Sequence, residues 1–72
     1  MNNLNVAKIQ LNGDPYKINE GDSLEKLLIS LKIQKGKVAV EVNGHIVERK
    51  KYENLILNND DKVEIVQFIG GG

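Results

Sequence analysis

The stretch LEKLLISL, residues 24–31, decides how the rest of the chain is read. Leu24, Leu27, Leu28 and Leu31 stand at i, i+3, i+4 and i+7, a spacing that places four leucines on one stripe of an α-helix. Such a stripe needs an apolar surface to lie on. Just upstream, Asp22 or Ser23 can cap the first turn, and Glu25 complements the positive end of the helix dipole. Lys32 and Lys35, with Gly36 beyond them, supply the expected stop signals.

Working outward, both flanks change to the two-residue period of strands. Upstream, VAKIQL at 6–11 partly alternates apolar and polar residues and stops at Asn12-Gly13-Asp14-Pro15, a tight-turn signal, before PYKI returns. Residues 6–18 therefore read as a β-hairpin, with Ala7, Ile9 and Leu11 on one face and Tyr16 and Ile18 joining it. Downstream, Val38, Val40 and Val42 alternate with Ala39, Glu41 and Asn43, so the valine face should meet the leucine stripe. Asn43-Gly44 makes a second turn into a short strand at His45-Ile46-Val47. Residues 48–61 read as an irregular crossover with an apolar clip at Leu55-Ile56-Leu57, and the last strand runs from Lys62 to Ile69.

One helix across one face of a mixed sheet of four to five strands is the economical way to bury a single stripe. The expected fold is α+β, a β-grasp or ubiquitin-like domain over residues 1–69, followed by a glycine tail at 70–72. Its core packs Leu24, Leu27, Leu28 and Leu31 on Val38, Val40, Val42, Val63 and Ile65.

Composition narrows the function. Seventy-two residues make one small domain with a modest core and no room for an enclosed active site. Ten basic and ten acidic side chains cancel, which gives no electrostatic reason for a nucleic acid or an anionic membrane as partner. Tyr16, Tyr52 and Phe68 are too few for a base-stacking platform. Without cysteine there is no disulfide, thiolate nucleophile or thiolate metal site, which suits a reducing cytoplasm. Residues 1–5 lack the pattern of a leader, and no segment approaches the roughly 20 apolar residues that cross a bilayer. The expectation is a cytoplasmic protein.

The usual catalytic constellations are missing, so the chain does not read as an enzyme. His45, the one histidine, reads as an exposed turn residue, and Asp60-Asp61 as a solvated turn rather than a magnesium site. Arg49-Lys50-Lys51 reads as a solvated loop, with steering of an acidic partner as the alternative.

Glycine is another matter. Apolar character runs through Val63, Ile65, Val66, Phe68 and Ile69 and then gives way to Gly70-Gly71-Gly72. Such a run commonly marks slack chain. Three residues without Cβ atoms also form a thread able to enter a narrow channel, carrying the Gly72 carboxylate roughly 10 Å beyond Ile69. A carboxylate is a poor electrophile, so it needs activation by another protein, for example as an acyl-adenylate. The tail thus points to a carrier or modifier acted on by enzymes. The pleat adds a docking expectation: if Val63 and Ile65 face the helix, Val66 and Phe68 project from the helix-free face beside the root of the tail, unless the crossover or Tyr52 covers Phe68.

VAVEVNGHIVER at 38–49, the ending DKVEIVQFIGGG and the helix start GDSLEKLL together resemble the ThiS family of thiamine-biosynthesis sulfur carriers over nearly the whole chain. Glu48 departs from the pattern, where family members often have proline. The resemblance implies that a ThiF-type adenylyltransferase uses ATP to adenylate Gly72, that a sulfur donor system converts the adenylate to a thiocarboxylate, and that thiazole synthase, of the ThiG type, takes the sulfur. Gly70 and Gly71 would thread into both enzymes, Val66 and Phe68 would dock, and the carrier would bind no metal or cofactor of its own. The rivals are the sulfur carrier of molybdopterin synthesis and a ubiquitin-like modifier that joins Gly72 to a target lysine. A plain interaction module whose glycines do nothing is the third.

Overall fold

The computed structural model describes residues 5–68. Strands β1 (Val6–Leu11) and β2 (Asp14–Asn19) form the hairpin, followed by helix α1 (Leu24–Ser30), β3 (Val38–Val42), a two-residue β4 (His45–Ile46) and β5 (Lys62–Gln67). Short 3₁₀ turns at Lys35–Lys37 and Arg49–Lys51 fill the connections. The sheet order is β2-β1-β5-β3-β4, with β1 parallel to β5 and the other pairs antiparallel. This is the β-grasp arrangement, in which the last strand becomes the middle of the sheet.

The helix is held at both ends by local chemistry. Ser23 is the cap: its hydroxyl accepts from the Lys26 N–H at 3.0 Å, while the Asp22 carboxylate turns back to the Asn19 N–H at 3.1 Å. The end comes earlier than the lysine and glycine signals imply. Lys32, not Gly36, takes the left-handed conformation (φ 60°), and its N–H and that of Ile33 donate to Ile29 and Leu28 carbonyls. That is a Schellman stop, stabilised by Ile33 packing back on the core where Leu28 is buried.

Leu24, Leu27 and Leu28 are buried with Val38, Val40, Val63, Ala7, Ile9 and Ile18, and Leu31, Val42 and Ile65 pack half-buried around them. The stripe and the strand faces therefore meet as their periods require. Two residues of the crossover complete the core: Tyr52, only 2% exposed, and Leu57. The Tyr52 carbonyl accepts from the Glu25 N–H and the Leu55 carbonyl from the Leu24 N–H, so the crossover satisfies free donors of the first helical turn.

Both Asn-Gly turns adopt positive φ at both central residues, 50° and 90° at Asn12-Gly13 and 53° and 84° at Asn43-Gly44, the hairpin geometry that this pair favours. Their asparagine side chains do more than turn the chain. Asn12 pairs with the Ile65 backbone, and Asn43 accepts from the Lys62 N–H at 2.9 Å while donating to Asp61 at 3.0 Å. Both turns thus hold β5 in place. Strand β5 itself ends at Gln67, shorter than the expected run to Ile69, which lies outside the described residues.

Candidate functional site

Strand β5 is aimed so that its alternate residues serve two purposes. Val63 and Ile65 turn into the core, while Lys62, Glu64, Val66 and Phe68 fall on the face without the helix. Val66 and Phe68 are each 62% exposed. The buried position of Tyr52 removes it as a cover for Phe68. Val66 sits opposite Ala39, and the Phe68 N–H still donates to the Lys37 carbonyl at 3.0 Å, so the strand hydrogen bonding continues to the last described residue. Gly70, Gly71 and Gly72, the expected threading segment and carrier site, lie outside the described residues.

The register supplies the remainder of that face. Glu41 lies opposite Glu64 on one side and opposite Ile46, 76% exposed, on the other. Farther along the sheet Lys8 lies opposite Lys17. Alternation in VAVEV already separates Ala39 and Glu41 from the valines, but which residues flank them depends on strand order, which local periodicity does not carry. On the helix side of the same end, Leu11, Leu31, Ile33 and Ile65 line a shallow open groove.

The other candidates have structural employment or simple surface positions. Asp61 accepts from the Asn58 N–H at 2.8 Å and from Asn43, closing the loop before β5. Lys50 and Lys51 lie 4.0 and 3.8 Å from the Glu48 carboxylate in exposed ion pairs, so one internal acid offsets part of the basic run. His45 is exposed on β4. Among the described residues no group of side chains has metal-binding spacing, and no helix is long and apolar enough to cross a membrane.

Comparison with known proteins gives the chain its relatives. The model of the ThiS family matches residues 9–72, the terminal glycines included. A crystal structure of the thiamine biosynthesis protein ThiS from Geobacter metallireducens superimposes with a TM-score of 0.78 at 34% identity, covering 90% of this chain and 99% of that one. The sulfur carrier protein ThiS of Bacillus subtilis is 35% identical over 65 residues, 89% of this chain and 98% of its own. A thiazole synthase of Magnetococcus marinus is 48% identical over 65 residues, 90% of this chain; the match spans only 20% of that longer protein.

Proposed function

The chain belongs to the ThiS family, and from that premise we propose that it carries sulfur for thiazole formation in thiamine biosynthesis as a thiocarboxylate on Gly72. The domain is a substrate of enzymes and performs no catalysis itself. A carboxylate oxygen of Gly72 attacks the α-phosphorus of ATP on a ThiF-type adenylyltransferase, and pyrophosphate leaves. A sulfide-equivalent nucleophile from a donor system then adds to the acyl carbon, AMP leaves, and the thiocarboxylate remains. Thiazole synthase accepts the sulfur, and the chain's match to part of a thiazole synthase supports that choice of acceptor. Gly70 and Gly71 thread into both enzymes while Val66 and Phe68 dock.

The observation that carries this reading is continuity. A family match running through Gly72 joins a strand whose exposed Val66 and Phe68 lie at the root of the glycines. Isolated apolar side chains are ordinary on a surface, but an aromatic and a valine beside a reactive terminus form an anchor for a partner.

Intact mass of the protein from its native host tests the chemistry. Replacement of one C-terminal oxygen by sulfur is the expected result. An unmodified terminus in cells making thiamine, or adducts on lysine surviving denaturing electrophoresis, would overturn it, the second in favour of a modifier.

A further inference from the structure

The helix-free face sets like charges side by side. Glu41 and Glu64 are direct cross-strand neighbours of β3 and β5, and Lys8 and Lys17 are direct neighbours of β1 and β2. Both arrangements are unfavourable in an isolated sheet. Neither glutamate forms an ion pair among the described residues; the three salt bridges found there involve Glu25 and Glu48 alone. Placing one lysine beside one glutamate in each pair would have stabilised the domain. Apart from Lys62 beside Glu64, the cross-strand charges are instead sorted by half of the sheet, which gives the face a direction.

The glutamate pair has apolar neighbours on two sides, and Lys62 stands next to Glu64 along β5 in the other direction. Val66 and Ala39 lie next along β5 and β3, with Phe68 beyond, and Ile46 flanks Glu41 across β4. Glu41 is itself only partly exposed, its side chain partly covered by its neighbours on the sheet. A partner seating an apolar surface on Val66 and Phe68 brings its own groups over both carboxylates and excludes water there, where Coulomb attraction strengthens.

We infer that the docking partner places a cationic side chain, an arginine or a lysine, between Glu41 and Glu64, so that a repulsion carried by the free domain becomes an attraction in the complex. This rests on the docking role proposed above for Val66 and Phe68. A guanidinium suits the site well, since it can donate to two carboxylates at once. Lys8 and Lys17, on the other half of the face, disfavour a partner that approaches turned around. A second copy of this chain would also offer lysines to the glutamates, but that packing would cover the root of the tail, which has to reach an enzyme.

The adenylyltransferase is the probe. Titration of the wild type, Glu41→Gln/Glu64→Gln and Phe68→Ala, each at low and high salt, should show the glutamine variant binding roughly ten-fold or more weakly, with a shallower salt dependence. Its melting temperature should rise or stay unchanged, because a repulsion has been removed. A glutamate pair acting only in folding would lower stability and leave affinity alone. Wild-type affinity and salt slope in the glutamine variant, with Phe68→Ala weakened, would overturn the cation alone; wild-type binding by both variants would overturn the docking reading as well. Self-association of the wild type that the glutamine variant loses would replace the enzyme with a second copy.

Discussion

Asn12 and Ile65, 53 residues apart in sequence, exchange two hydrogen bonds: the Asn12 Oδ1 accepts from the Ile65 N–H at 2.8 Å, and its Nδ2 donates to the Ile65 carbonyl at 3.3 Å. The side-chain amide stands in for the residue that β1 would supply if it ran farther alongside β5. Asn12→Gly tolerates the positive φ of this position and removes only the clasp. The variant should lose about 1 to 2 kcal/mol, and the Ile65 amide should lose protection in hydrogen exchange while that of Val40 changes in step with global stability.

Leu28 is almost wholly buried between α1 and the sheet. Leu28→Ala leaves a cavity that the surrounding strands cannot close, and a loss of about 2 to 5 kcal/mol is expected, a large share of the stability of a small domain. Urea denaturation gives the number. A loss under 1 kcal/mol, on the order of a surface substitution, would mean that the stripe does not carry the core.

Lys32 adopts φ 60° at the helix stop, where a residue with a Cβ is strained. Lys32→Gly keeps the Schellman bonds and relieves that strain, so the variant should gain about 1 kcal/mol. Chemical denaturation at fixed pH checks the sign, and a destabilised variant would show that the lysine side chain contributes contacts worth more than the backbone strain.

Phe68→Ala should weaken binding to the adenylyltransferase roughly 30-fold, the factor that corresponds to about 2 kcal/mol at an interface anchor. Circular dichroism should be unchanged, because an exposed ring contributes little to the core. Calorimetry showing wild-type affinity in the folded variant would place recognition elsewhere on the domain.

Removing Gly72 should abolish adenylation and leave the thermal transition in place, since the described core ends its packing before the glycines. Release of pyrophosphate on mixing with ATP and the activating enzyme is the readout. A truncated chain that still turns over would take the reaction away from that residue.

The elements legible in the sequence were those with a period or a punctuation mark. The leucine spacing of α1, the alternation of Val38, Val40 and Val42, and the two Asn-Gly turns each report a local geometry, and the pleat of β5 was enough to put Val66 and Phe68 on the helix-free face. Tyr52 escaped because it lies in a crossover without periodicity, where burial depends on the helix it packs under. Lys32 escaped because a left-handed stop is read most easily from glycine or asparagine, and here the C″ contact of Ile33 decides instead. The clasp of Asn12 on Ile65 and the pairing of Glu41 with Glu64 depend on strand order, a property of the whole chain that local periodicity does not register.

Because β5 lies between β1 and β3, the sheet has no centre until residues 62–67 arrive. On the ribosome, the hairpin, helix and β3 must wait with their apolar faces uncovered, and closure joins segments from opposite ends of the chain, a slow step with a high entropic threshold. A chain interrupted anywhere before residue 62 would expose that surface to proteases and chaperones instead of presenting a stable counterfeit domain. Folding competence thus waits for the strand that also carries the exposed Val66, so the core and this exposed face are completed by the same segment.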